Sequence, residues 1–387
     1  MSDPGAPAER RAAPRPAPAA GGAAAQTGAS RHFAQTYAEA RDKFFAGARS
    51  CGLGVETHVH PLPGRDGEML AMDVAREGAA DAKSLLVVSS ACHGVEGFCG
   101  SGVQVALLAD AAWHQAARDA GVAVLYIHGL NPYGFSWWRR TTHENVDLNR
   151  NFRDFAAPAP ANDGYDELAA LIVPPTWPPD AANLAAISAF VARHGESALQ
   201  QAVTGGQYGH PGGLFYGGNE PTWSHATVRK VLRQHGSRCD RLAWIDLHTG
   251  LGPPGHGERI FACRDDAESY ARAKAWWGDV TSIYDGSSSS ALLTGMMWMA
   301  AYDECAQAEY TGIALEYGTV PQADVIHALR ADQWLEDHPD ADEATRRAIK
   351  QQVRDAFYTD TDAWKERIVE QGVDAARGAV RGLSTTA

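Results

Sequence analysis

Three stretches of the chain are apolar almost without a break: SLLVVSS at 84–90, VAVLYIHGL at 122–130 and LAWIDLH at 242–248. Short runs this nearly continuously apolar predict strands buried on both faces. Residues 54–62, 69–76, 258–264 (ERIFACR) and 311–318 (TGIALEYG) read as further strands. Between the first two buried runs, a helical stretch over about 100–120 gives the order strand, helix, strand, which predicts a parallel pair. Phe33, Tyr37, Phe44 and Phe45 recur at helical spacing after Ser30, a residue suited to an N-cap, and 342–376 reads as one or two closing helices. These elements predict an α/β fold: three α/β/α layers around a mixed, mostly parallel sheet.

Residues 1–30, rich in Ala, Pro and Gly, hold too few large apolar side chains to offset their ordering entropy and read as a disordered tail. One catalytic domain is expected over 31–378, followed by a flexible end from 379 to 387. Dense Pro, Gly and Asn at 157–180 and 204–224 predict surface loops that could wall a site.

Charge and cysteine usage narrow the function. A net charge of −13 repels phosphate backbones and anionic lipid surfaces, so neither a nucleic acid nor a membrane is an expected partner. No run approaches the roughly 18 apolar residues of a membrane span, and the N-terminal segment lacks the apolar stretch of a signal peptide. Six cysteines without CxxC spacing read as reduced thiols, and a cytoplasmic location is expected. Cys92 and Cys99 read as packing residues.

Candidate chemistry begins where the first buried run ends. His93 and Glu96 stand three apart in the Gly-punctuated turn CHGVEGFCG, where both side chains can reach one point. His248 closes LAWIDLH, and ligand sites in open α/β sheets lie at the carboxyl ends of strands. Two imidazoles and a carboxylate make the protein ligand set of a catalytic zinc ion, with one position left for water. Asp246 could orient an imidazole from behind. Glu316, at the end of GIALEYG, is the candidate general base, with Glu309 as its substitute. Arg139 and Arg140 are candidate oxyanion donors, and Asn149 with Arg150 form a fork suited to a substrate carboxylate.

HGVE, NPYG…WRR, DLNRNF, DLHTG and ALEYG, in this order over about 54–320, make the chain resemble the carboxypeptidase A-like zinc peptidase superfamily. Its short stretch before DLNRNF and its ALEYGT segment place it near a divergent bacterial branch of largely uncharacterised members. The resemblance implies a single zinc ion on His93, Glu96 and His248, Glu316 as base, Arg139 after Trp138 as oxyanion donor, and Asn149–Arg150 on the terminal carboxylate. It also aligns Tyr284, in SIYDGSSSS, loosely with a substrate-capping tyrosine. The expected substrate is a peptide or an N-acyl amino acid. A metallocarboxypeptidase is the leading reading, beside a deacylase of the aspartoacylase or succinylglutamate desuccinylase kind and a non-catalytic binding module. Trp177 and Trp223 read as loop anchors.

Overall fold

The computed structural model describes residues 28–384. The predicted strands form one mixed sheet in the order β1-β2-β4-β3-β5-β7-β6. They are β1 (Val55–Pro63), β2 (Met69–Glu77), β3 (Ser84–Ser90), β4 (Val122–His128), β5 (Arg241–Gly250), β6 (Gly257–Phe261) and β7 (Glu309–Gly318). β4, β3, β5 and β7 run parallel in the middle, and the flanking pairings are antiparallel. Every residue of β4 and all but the first of β3 are buried, so helices cover both faces of the centre.

The helices are α1 (Tyr37–Ser50), α2 (Gly97–Ala109), α3 (Ala111–Asp119), α4 (Pro132–Trp137), α5 (Asp163–Ile172), α6 (Ala181–His194) and α7 (Glu196–Thr204). After these come α8 (Trp223–Gly236), α9 (Ala267–Trp277), α10 (Ala300–Glu304), α11 (Gln322–Asp337), α12 (Glu343–Phe357) and α13 (Asp362–Ser384). Among the described residues no helix is long and apolar enough to cross a membrane.

Several boundaries differ from the sequence reading. The stretch 100–120 is two helices, because the Asp110 backbone turns extended and its carboxylate accepts from Ala112 and Trp113 N–H, capping α3. The cap of α1 is Thr36, not Ser30, which sits in a preceding 3₁₀ turn and hydrogen-bonds Asp362. The segment 157–180 contains α5, and much of 204–224 is buried, including Gln207, Leu214 and Phe215. Residues 379–384 continue α13 with Ala379, Val380 and Leu383 buried, so the chain does not loosen at 379. Residues 1–27 of the expected tail and 385–387 lie outside the described part.

Two registers prepare the site. β3 lies beside β5 with Ser90 opposite Leu247, so the turn leaving β3 emerges where His248 stands. β5 lies beside β7 with His248 opposite Glu316, which puts both side chains on one face at the carboxyl ends of parallel strands.

Candidate metal centre

The ligand atoms of His93, Glu96 and His248 all lie within 4.8 Å of one another, and all three residues are buried. His93 Nδ1 is 2.8 Å from Glu96 Oε1, His248 Nδ1 is 3.0 Å from Glu96 Oε2, and the two Nδ1 atoms are 3.3 Å apart. Tetrahedral bonds of about 2.1 Å separate ligand atoms by roughly 3.4 Å, so spacings of 2.8, 3.0 and 3.3 Å need open only by a few tenths of an ångström around one small cation.

Each ring is held from behind. His248 Nε2 lies 2.5 Å from Asp246 Oδ2, and Asp246 in turn accepts from Ser89 Oγ. His93 Nε2 lies 3.3 Å from Asp147 Oδ1 and 2.7 Å from Arg140 Nη2. Such carboxylates fix the ring and its tautomer, leaving Nδ1 for a metal. Asp147 was not singled out in the sequence, although it opens DLNRNF. Besides His93 it binds Arg140 Nε at 2.9 Å and caps its own turn through Asn149 N–H.

Local packing explains the glycines. A Cβ on Gly94 would fall 2.1 Å from the Gly134 carbonyl carbon, so the HGVE turn and NPYG must touch through bare backbone. Gly94 and Val95 N–H groups donate to the carbonyls of Arg140 and Arg139 at 3.1 and 2.8 Å, tying the two motifs together. Ala91, with φ of 61°, holds a left-handed conformation just ahead of His93.

The charges in the cluster are unequal. Burial alone would raise the Glu96 carboxyl, but the His93 and His248 imidazoles outweigh it and hold the group at about 2. Burial, then the charge of Glu96, pushes Glu316 up to about 8. Burial would lower His248, yet Asp246 and Glu96 keep it well above its ordinary value. A cation among these groups would restore Glu316 to its charged form. Cys92 also approaches Asp246 and His248, but burial and neighbouring carboxylates keep it a thiol, a poor ligand.

The centre opens into a pocket of about 740 Å³ that Glu316, Arg140, Asn149 and Arg150 also line. Glu316 Oε1 accepts from Leu251 N–H at 2.9 Å, and Asn149 Oδ1 accepts from Met297 N–H at 2.8 Å. Residues 33–371 match the model of a family described as protein of unknown function, DUF2817. The chain belongs to the DUF2817 family.

No curated protein matches this DUF2817 sequence. Solved structures similar to it include bovine thrombin-activatable fibrinolysis inhibitor in complex with tick carboxypeptidase inhibitor, at 12% identity, covering 88% of this chain and 98% of that one, TM-score 0.44. A metallo-carboxypeptidase from Burkholderia cenocepacia is 11% identical, over 90% of this chain and 68% of that one, TM-score 0.40. Carboxypeptidase A of Helicoverpa armigera is 12% identical, over 83% and 74%, TM-score 0.39. A shared outline says nothing of a shared substrate; that has to come from the side chains in place.

In this DUF2817 chain Arg139, the expected oxyanion donor, does not line the pocket. Arg139 turns away from the centre, with Nε 3.1 Å from Asp332, Nη1 3.3 Å from Glu336 and Nη2 3.0 Å from Asn145. Trp138 just before it is left-handed at φ 56°, and the neighbouring Arg140 is the one that lines the pocket. Glu309 begins β7 at its far end, pairing with Arg241 and Arg272, so it cannot substitute for Glu316. The Tyr284 hydroxyl donates to the Cys263 carbonyl at 2.9 Å, and Ile283 lines the pocket instead. Trp177 packs on His327 and Trp223 on His60, both outside the pocket.

Arg139 has a structural role that can be measured. Its partner Asp332 is buried and also binds Lys350 at 2.6 Å, joining α11 to α12 and to the Arg140 segment. Removing one member of a buried ionic cluster strands the others, at a cost of about 3–5 kcal/mol. Asp332→Ala is therefore expected to lose about that much unfolding free energy in urea melts; a loss below about 1 kcal/mol would equate the cluster with ordinary surface pairs.

Proposed function

We propose that this protein is a metal-dependent hydrolase that cleaves an amide bond next to a free carboxylate, using one zinc ion on His93, Glu96 and His248. The observation that carries this reading is the convergence of those three ligand atoms beside Glu316 in one pocket. Zinc so bound would polarise the scissile carbonyl and lower the pKa of a water in its open position to about 7. Glu316 takes the water's proton and returns it to the leaving amine. Arg140 donates to the carbonyl oxygen as negative charge gathers there. A cation held by His93 Nδ1 would leave the ring's proton on Nε2, facing Asp147 Oδ1, and Arg140 Nη2 would then lose its acceptor there.

Arg150 supports the carboxylate part. Its guanidinium is buried and lines the pocket, and burial presses it below its ordinary value. It donates to the carbonyls of Thr204 and Asn149, and no carboxylate among the described residues forms an ion pair with it. A buried cation with spare donors is a receptor for an anion. Arg150→Met is expected to raise KM about 10- to 100-fold with a smaller change in kcat, the worth of a charge-assisted hydrogen bond. An unchanged KM would place the substrate elsewhere.

The metal itself is tested by elemental analysis of the purified protein. About one zinc per chain is expected; less than about half an equivalent after zinc loading and desalting would overturn the reading.

A further inference from the structure

We infer that Phe215 is a positioning residue: its ring holds the guanidinium groups of Arg140 and Arg150 where a substrate meets them. The roles of the two arginines rest on the amide-hydrolase reading above, and their placement by the ring does not.

Phe215 is buried and lines the pocket together with both arginines. Its ring centroid lies 5.0 Å from Arg140 Cζ and 5.7 Å from Arg150 Cζ, each within reach of a cation–π attraction. The two cations come from different motifs, WRR and DLNRNF, and the ring is a contact they share.

The Phe215 backbone is left-handed at φ 53°, a conformation that a bulky L residue rarely adopts. Two sets of bonds hold it there. Gln207 N–H donates to the Phe215 carbonyl at 3.1 Å, Gln207 Nε2 to the Leu214 carbonyl at 3.1 Å, and Gly217 N–H to the Gln207 carbonyl at 2.9 Å. From DLNRNF, Asp147 N–H donates to the Tyr216 carbonyl at 2.8 Å and Asn151 Nδ2 to the Gly217 carbonyl at 2.8 Å. The segment that carries Arg150 is thus bonded to the two residues directly after the ring.

Filling an apolar gap does not call for so unusual a backbone. Two neighbouring like charges do call for a ring. Burial first, and the charge of Arg140 as well, press Arg150 below its ordinary value against the pull of Asp147. A carboxylate set against Arg150 would relieve this, but it would occupy the N–H groups that a substrate carboxylate needs. A ring face attracts a guanidinium through its quadrupole and leaves the in-plane N–H donors to other partners. Phe215 therefore steadies the cations without competing for the substrate.

The first readout needs no turnover. In the zinc-loaded full chain carrying isotope-labelled arginine, the Nε–H resonances of Arg140 and Arg150 are identified by their absence from Arg140→Lys and Arg150→Met. In Phe215→Leu both protons should exchange with water about tenfold faster, the order of a lost cation–π contact. Those of Arg330 and Arg354, buried arginines that do not line the pocket, should keep their rates. Phe215→Tyr, which keeps the ring, should restore slow exchange. Unchanged exchange at either pocket arginine in Phe215→Leu overturns the inference, as does equal acceleration in the tyrosine variant. Faster exchange at Arg330 and Arg354 would mean that leucine loosens the whole chain, and Phe215→Met is then read by the same criteria. General loosening in both variants would make Phe215 a core residue and end the inference.

The second readout is leucine release from N-acetyl-leucine and N-acetyl-alanyl-leucine. Phe215→Leu should raise KM and lower kcat, each by about tenfold, because it disturbs both arginines, whereas Arg150→Met acts chiefly on KM. A change in only one constant, or in neither, overturns the shared role. No leucine from either compound with the natural chain would count against the hydrolase reading, and the exchange rates alone would then decide the inference.

Discussion

Glu316→Gln is expected to retain its zinc and lose hydrolysis by about 10²- to 10⁴-fold, the usual worth of a positioned general base. Glutamine keeps the shape and can still accept the Leu251 N–H that orients Glu316, so the pocket should survive the change. Metal content should hold because the carboxylate lies outside the converging triad. The measurement is kcat/KM with zinc determined on the same preparation. Near-normal turnover in a zinc-replete variant would take the proton-transfer role away from this residue.

A proton count gives an independent reading of the same group. Without a cation, burial and Glu96 raise Glu316 to about 8, so at pH 7 most of the population carries a proton there. A dication in the triad favours the charged carboxylate, lowering its pKa and expelling that proton. Zinc binding near pH 7 should therefore release fewer protons from Glu316→Gln than from the natural chain, by approximately the protonated fraction of one site. Equal release would show that Glu316 is already ionised before metal enters.

His248→Ala is expected to bring bound zinc close to zero after desalting and to abolish hydrolysis with it. The imidazole is one of three converging donors, and its ring is set by Asp246 two residues earlier on the same face of β5. Asp246→Asn should show a graded effect, weakening zinc by about 10- to 100-fold, as loss of a carboxylate behind a ligating imidazole does. The comparison separates a ligand from its support: added zinc should restore the asparagine variant and leave the alanine variant inactive. Full zinc occupancy in His248→Ala would disprove the triad.

The buried strands were legible because continuous apolar runs admit few other readings, and β3, β4 and β5 lie within three residues of their expected limits. The centre was legible for a related reason. HGVE begins three residues after one such run and DLH closes another, and parallel strands end on one side of a sheet. Arg139 and Arg140 could not be told apart in this way. Adjacent residues share composition and neighbours, and only the folded chain shows that Arg140 lines the pocket while Arg139 pairs with Asp332 and Glu336. Asp147 escaped notice because its partners, His93 and Arg140, come from other parts of the chain.

Local pattern thus carried the α/β class, the strands and the candidate ligands, since these depend on residues a few positions apart. The fold itself had to bring His93 to His248 across 155 residues and His248 to Glu316 across a strand pairing. It also placed α11 along the pocket, though nothing in QADVIHALRADQ distinguishes a pocket wall from any other amphipathic helix. Periodicity tells which face of a helix is apolar. What that face meets depends on loop closure and packing among distant elements, and only the assembled chain expresses those.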